Sequence, residues 1–92
     1  EDIYRYVYSC ALKKRCAISG KHAELHHVDA VGMGRDRDDI IHIGMRVLPL
    51  SREYHTLAHT KGNDWLLNEY HLEPVTVDKR IAKVYKLNTK EK

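Results

Sequence analysis

Four of the seven histidines in the chain form one pattern that limits how the polypeptide can fold. His26 and His27 are adjacent, and His55 and His59 follow at positions i and i+4. On a helix, side chains at i and i+4 lie one above the other, so they can bind one metal ion together. A strand packed against this helix would bring His26 to the same ion. The pattern therefore predicts a strand and a helix that share a metal site with open coordination positions.

Length and charge indicate a small domain with a mild basic excess. The 92 residues include 16 Lys and Arg against 13 Asp and Glu, a net charge of +3. A chain of this size buries only about 60–65% of its unfolded surface, so a metal ion, a partner or further chain commonly adds stability. Because a helical pattern follows Glu1 at once, we expect residues 1–92 to be a single domain from a longer protein. The positive charge permits a polyanionic partner without requiring one.

The cysteines and the hydropathy indicate a cytoplasmic protein. Cys10 and Cys16 match neither a metal-binding Cys-x-x-Cys pair nor a disulfide framework, which favours a reducing cytosol. No apolar run approaches the roughly 18 residues that span a bilayer, and no signal peptide is recognisable. We therefore expect a soluble protein with no membrane partner.

The hydrophobic pattern predicts an α+β fold in which a strand-loop-strand-helix unit contains the histidines. The predicted elements are a helix over residues 2–14, a strand over 23–28, a polar loop over 29–39, a strand over 46–50, a helix between Ser51 and Gly62, a helix from Asn63 or Asp64 to about Pro74, and a helix over 76–88. Ser51 is a suitable N-cap, and Gly62 is well placed to end the helix after it. Pro49 has no N–H. Either the second strand therefore lies at a sheet edge, or Pro49 lies at the end of that strand.

Basic residues in two places are candidates for phosphate contacts. One face of the last predicted helix is lined by Lys79, Lys83, Lys86 and Lys90. Arg35 and Arg37 lie in the polar loop. Such residues bind the nucleic-acid backbone without reading its sequence. A solvated helix face is an equally good interpretation of the lysines.

The pattern also assigns a chemical role to each of the four histidines. A metal bound by His26, His55 and His59 keeps positions open for water and a phosphate oxygen. His27 is poorly directed towards such an ion, yet near enough to take a proton from an attacking water, and an imidazole pKa of about 6.5 suits a general base. A structural zinc site and a coincidence of solvated histidines remain as alternatives. Structural zinc is the weaker one, because such sites are closed and rich in cysteine.

Two stretches resemble the HNH endonuclease superfamily, in particular HNH nucleases encoded by phages of Gram-positive bacteria: residues 16–35, CAISGKHAELHHVDAVGMGR, and residues 48–59, LPLSREYHTLAH. The resemblance covers about residues 15–72. It implies the ββα-metal (His-Me finger) fold, in which a β-hairpin and a helix hold one divalent metal, here with flanking N- and C-terminal helices. The histidine layout is also similar to colicin-type nuclease domains, which implies His26, His55 and His59 as ligands and His27 as base.

Three features depart from the superfamily pattern. The middle Asn of the His-Asn-His name is expected near Met45 or Arg46, and neither side chain has an amide. Ser51 and Tyr54 replace the Cys and His that begin the helix in many relatives, which argues against an accessory structural zinc. His42 has no fixed role in the superfamily, and we consider it either a loop residue or an auxiliary residue that orients the base or contacts phosphate.

The resemblance implies a metal-dependent DNA endonuclease that hydrolyses phosphodiester bonds and leaves 5′ phosphates. Three imidazoles favour Zn²⁺ or Ni²⁺, whereas Mg²⁺ and Mn²⁺ favour oxygen ligands, so the identity of the one expected divalent ion stays open. The expected partner is DNA in the cytoplasm of a bacterial host, with phage replication or recombination proteins as further candidates. Two other functions remain: a metal-stabilised nucleic-acid-binding module without catalysis, and a protein-interaction domain, which an exposed apolar face on the first helix would favour.

Overall fold

The computed structural model describes residues 2–28 and 43–87, which form an α+β fold. Its elements in chain order are α1 (Ile3–Leu12), β1 (Glu24–His27), β2 (Arg46–Leu50), α2 (Arg52–Lys61), α3 (Asn63–Glu69), β3 (Val75–Thr76) and α4 (Lys79–Tyr85). β1, β2 and α2 follow one another in the predicted ββα order, with α1 and α4 on either side in sequence. The predicted fold class is confirmed, whereas the predicted polar loop, residues 29–39, lies outside the described residues.

The three strands form an antiparallel sheet in the order β1-β2-β3. Within it Glu24 pairs with Leu50, and His26 pairs with Leu48. Side chains alternate between the two faces of a strand, so Glu24 and His26 share one face and His27 belongs to the other. α2 packs against both β1 and β2. The register therefore puts a carboxylate and an imidazole together on one face of β1.

β2 is the central strand, yet it contains Pro49, which has no backbone N–H. The proline is tolerated because β3 pairs only with Arg46 and Val47, near the other end of β2. The carbonyl of Pro49 accepts a hydrogen bond from the N–H of Ala17 at 3.0 Å. The prediction that Pro49 lies near the end of its strand is confirmed.

The core forms where α1 packs against β2, β3 and α4. The largest fully buried side chains are Leu48, Leu50, Leu66, Ile81, Val7, Val47, Val75, Val77, Pro49 and Cys16. Across residues 2–28 and 43–87, no helix has the length and apolar character needed to cross a bilayer. On the outer side of α1, Ile3 and Tyr6 are 41% and 49% exposed. Two exposed apolar side chains on one helix are normal for a protein surface and do not by themselves mark an interaction patch.

The segment before α4 differs from the predicted helix over residues 76–88. Its Val-Thr pair forms the edge strand β3, and α4 begins only at Lys79. Both residues are β-branched and favour extended backbone, and β2 offers a free edge with which they pair. Asp78 then caps α4, because its Oδ1 accepts a hydrogen bond from the N–H of Ile81 at 3.0 Å.

Asp78 also joins α4 to α1, and its contribution to the free energy of unfolding depends on pH. Its Oδ2 accepts a hydrogen bond from the Tyr8 hydroxyl at 2.5 Å. Burial alone would raise the pKa of Asp78, but hydrogen bonds from Tyr8 and from the backbone of Ile81 and Arg80 outweigh burial, so the pKa lies below its ordinary value. Asp78 therefore binds a proton more readily in the unfolded chain than in the folded protein. The stabilisation is present above the unfolded pKa of about 3.9 and is lost as the pH falls through the lower folded pKa.

We expect Asp78→Ala to lower the free energy of unfolding by about 1–3 kcal/mol at pH 7, because it removes a helix cap and an interhelical hydrogen bond. Asp78→Asn keeps an oxygen for the cap but loses the charge, so its stability should vary less with pH below about 4. Urea denaturation at pH 7 and across the acid range measures both effects. Glu73→Ala, which removes an exposed carboxylate, is the control. A loss in Asp78→Ala no larger than in this control would contradict the prediction.

Candidate metal centre

Three histidines from two elements meet between β1 and α2. His26 projects from β1, and His55 and His59 project from α2. Their ring centroids are 4.8 Å (His26 to His55), 5.2 Å (His26 to His59) and 5.0 Å (His55 to His59) apart. One nitrogen from each ring lies within 4.8 Å of the other two. The convergence that the sequence spacing predicted is confirmed.

The ends of α2 determine where its two histidines lie. The helix starts after Ser51 and ends at Gly62, both as predicted. The side chain of Ser51 makes no capping hydrogen bond, and its hydroxyl instead lies 3.4 Å from that of Ser19. Gly62 has a φ of 98°, in the region that residues with a Cβ rarely adopt, so the chain can turn sharply there into α3. This turn follows His59 closely and keeps α3 beside the histidine cluster.

Burial decreases across the cluster from the strand to the helix. His26 is 3% exposed, His55 is half-buried, and His59 is exposed. Burial lowers the pKa of His26, so its imidazole is neutral at neutral pH, the form that binds metal. The cluster is thus buried in the protein on one side and accessible to solvent on the other.

A carboxylate contacts His55, and a guanidinium in turn contacts that carboxylate. Glu24 Oε1 lies 2.8 Å from His55 Nδ1, and Arg52 Nε donates to Glu24 Oε2 at 2.9 Å. The hydrogen bond from His55 lowers the pKa of Glu24, so the carboxylate is charged and accepts a hydrogen bond from the Nδ1–H of His55. This leaves the lone pair of Nε2 available for a metal. Sequence reasoning missed Glu24, although its position two residues before His26, on the same face of the strand, was a usable signal.

We expect Glu24→Ala to weaken metal binding by about 10–100-fold, the usual range when the partner behind a ligating histidine is removed. Isothermal titration calorimetry with Zn²⁺ measures this change. The matched control is Glu53→Ala, which removes an exposed carboxylate from the first turn of α2. If both variants lose affinity equally, the effect comes from net charge and the role of Glu24 behind His55 is contradicted.

An amide from α3 completes the surroundings of His26. The Oδ1 of Asn63 lies 2.7 Å from His26 Nε2, and its Nδ2 donates to the carbonyl of Val28 at 3.1 Å. Sequence reasoning considered Asn63 only as a possible helix start. No local pattern connects it to His26, because the contact exists only after α3 has packed beside the end of β1.

A family model described as "Putative HNHc nuclease" matches residues 1–88. The chain belongs to this HNH nuclease family. No curated protein and no solved structure matches it. The match extends beyond residues 15–72, the part of the sequence that resembles the HNH superfamily, and it includes α1 and α4. Both flanking helices are therefore part of the HNH family unit, together with the ββα core.

The HNH family implies a divalent metal, and the histidine cluster fits one. It offers three imidazole nitrogens, the ligand type that Zn²⁺ commonly binds, within 4.8 Å of one another. Two of the three imidazoles have a hydrogen-bonding partner that fixes the ring, Glu24 for His55 and Asn63 for His26. His26, His55 and His59 would therefore hold the ion and leave its exposed side for water and substrate.

The other predicted site residues are either described outside the three-histidine cluster or lie outside the described residues. His27 is half-buried, pairs with Val47 and is not part of the three-histidine cluster. Three of the predicted lysines, Lys79, Lys83 and Lys86, are exposed on α4 or at its C-cap. The remaining predicted residues, Arg35, Arg37, His42 and Lys90, lie outside the described residues.

The thiol of Cys16 accepts hydrogen bonds from the backbone of the residues that follow it. It is buried, and the N–H groups of Ile18 and Ser19 donate to its Sγ at 3.4 and 3.3 Å. Burial raises the pKa of Cys16, but hydrogen bonds, chiefly from Ser19, outweigh burial and lower it. Cys10 and Cys16 are both free thiols. Among the described residues the groups able to hold a metal consist of histidine alone, so neither cysteine contributes to an accessory site there.

Proposed function

We propose that this HNH domain is an endonuclease that hydrolyses phosphodiester bonds in DNA with a divalent metal on His26, His55 and His59. The observation that supports this most is the convergence of these three imidazoles in a chain of the HNH nuclease family. The cluster leaves His59 exposed, as access by a large polyanionic substrate requires. The carboxylate of Glu24 behind His55 is the partner that a ligating histidine normally has.

In this proposal His27 is the general base. It is the half-buried last residue of β1 and directly follows His26, so the strand ends with a second imidazole next to a residue of the cluster. A neutral imidazole takes a proton from water, the water oxygen attacks phosphorus, and the bond from phosphorus to the 3′ oxygen breaks. The 3′ oxygen then takes a proton from solvent water. The products carry a 5′ phosphate and a 3′ hydroxyl. The divalent metal, when bound, neutralises the charge that develops on the phosphate and on the leaving oxygen.

The basic residues are proposed to bind the DNA backbone. Lys79, Lys83 and Lys86 are exposed on or at the end of α4, where they can contact phosphates without reading base sequence. Lys90, Arg35 and Arg37, which lie outside the described residues, are proposed to bind phosphates as well. The proposal rests on the exposure and charge of the three described lysines.

Lys83→Glu combined with Lys86→Glu is expected to weaken DNA binding to the same degree for unrelated sequences and to reduce its salt dependence. Each phosphate contact releases close to one counterion, so each lost contact reduces the slope of log K against log salt by about one. Fluorescence anisotropy at several salt concentrations measures this slope. The control, Lys13→Glu with Lys21→Glu, alters two exposed lysines outside α4 by the same charge. If the two double variants behave alike, the lysines of α4 form a solvated surface.

A plasmid-nicking assay of the purified protein with Mg²⁺, Mn²⁺, Ni²⁺, Co²⁺ or Zn²⁺ tests the proposed function directly. We expect cleavage with at least one ion, no cleavage with a chelator present, and 5′ phosphates on the products. DNA binding without cleavage under all five ions would contradict the enzyme and favour the metal-stabilised binding module.

A further inference from the structure

Asn63 makes two hydrogen bonds that connect three parts of the metal centre. It is the first residue of α3, immediately after the Gly62 turn that ends α2. Its Oδ1 contacts His26 Nε2 at 2.7 Å, and its Nδ2 contacts the Val28 carbonyl at 3.1 Å. One side chain thus connects the helix that follows His59 to a histidine of β1 and to the residue after that strand.

We propose that Asn63 is a positioning residue that holds His26 in one tautomer and so selects Nδ1 as the nitrogen that binds metal. This inference rests on the proposed function, because it concerns the same metal ion. It goes beyond that function by assigning a ligand atom and the residue that determines it.

The orientation of the amide follows from the Val28 carbonyl. A carbonyl oxygen only accepts hydrogen bonds, so the amide nitrogen of Asn63 must face Val28. The amide oxygen then faces His26 and can only accept, so His26 Nε2 must donate its proton. In a neutral imidazole, the nitrogen opposite the protonated one has the free lone pair. His26 therefore presents Nδ1 as a ligand.

In His55 the two ring nitrogens have the opposite roles from those in His26. Its Nδ1 donates to the Glu24 carboxylate, which leaves Nε2 as the ligand atom. The two histidines would thus bind one ion through different ring nitrogens, one set by an amide and the other by a carboxylate. An amide is neutral, so Asn63 orients His26 without adding charge at the buried side of the cluster.

The tautomers can be observed in protein labelled with ¹⁵N-histidine, by long-range ¹H–¹⁵N correlation spectra with and without Zn²⁺. In wild type we expect His26 with a proton on Nε2 before zinc is added and with zinc on Nδ1 afterwards. Asn63→Ala should give a mixture of His26 tautomers and bind zinc about 10–100-fold more weakly. Asn63→Asp keeps an acceptor for His26 but cannot donate to Val28, so it should restore the tautomer. Asn68→Ala, an exposed amide on the same helix, is the control.

The outcomes separate this inference from the proposed function. If zinc binds but occupies Nε2 of His26, or if the tautomer is unchanged in Asn63→Ala, the role of Asn63 is overturned while the metal centre stands. If wild type binds none of the divalent ions although His26 has the expected tautomer, the proposed function is overturned. Equal effects of Asn63→Ala and Asn68→Ala on zinc affinity would also overturn the inference, because they would indicate general destabilisation of α3.

Discussion

His27→Ala is expected to cleave DNA at least about 100-fold more slowly than wild type, since removal of a general base typically costs a factor of 100 to 10,000. Metal affinity, thermal stability and DNA affinity should stay close to wild type. The reason is that His27 lies on the opposite face of β1 from His26 and outside the three-histidine cluster. Single-turnover cleavage rates, measured together with metal titration, separate loss of the base from loss of the ion.

The pH dependence of the residual cleavage makes this test more specific. Wild-type cleavage should fall as the pH decreases through the pKa of the base, and this decrease should be absent or shifted in His27→Ala. His22→Ala, which removes an exposed histidine outside β1, is the control for the loss of an imidazole. Release of the metal in His27→Ala would contradict the division of roles between His26 and His27.

His55→Ala and His59→Ala are each expected to lose most of their metal affinity, and their stability should no longer respond to added metal. A ligand that binds only the folded state at 100 times its dissociation constant stabilises a protein by about 2.7 kcal/mol. In a domain of this size that corresponds to a rise in Tm of roughly 10–20 °C, which these variants should lack. Thermal unfolding with and without Zn²⁺ measures the difference.

A loss of folding must be separated from a loss of metal in these variants. Circular dichroism of the metal-free proteins provides that separation, because neither histidine belongs to the apolar core. His71→Ala, an exposed histidine after α3, serves as the control. Unchanged metal content in both His55→Ala and His59→Ala would rule out the site built on His26, His55 and His59.

Local sequence pattern was sufficient to predict the ββα unit and the three histidines that converge in it. The i, i+4 spacing of His55 and His59 fixes their relative position as soon as a helix forms, and the two-residue period of a strand separates His26 from His27. The boundaries of β2 and α2 also followed from local signals, since Pro49, Ser51 and Gly62 restrict the backbone at their own positions. These properties depend on a few neighbouring residues.

Tertiary structure alone decided the edge strand β3 and the residues that contact the histidine cluster. β3 forms because β2 offers a free edge, a condition that no window of sequence contains. Glu24 contacts His55 across 31 positions, and Asn63 contacts His26 across 37. Such pairs are determined by how α2 and α3 pack against β1, and a single sequence has no signal for packing at that range. The three-histidine cluster was therefore evident from the chain, whereas the hydrogen bonds to its members required the fold.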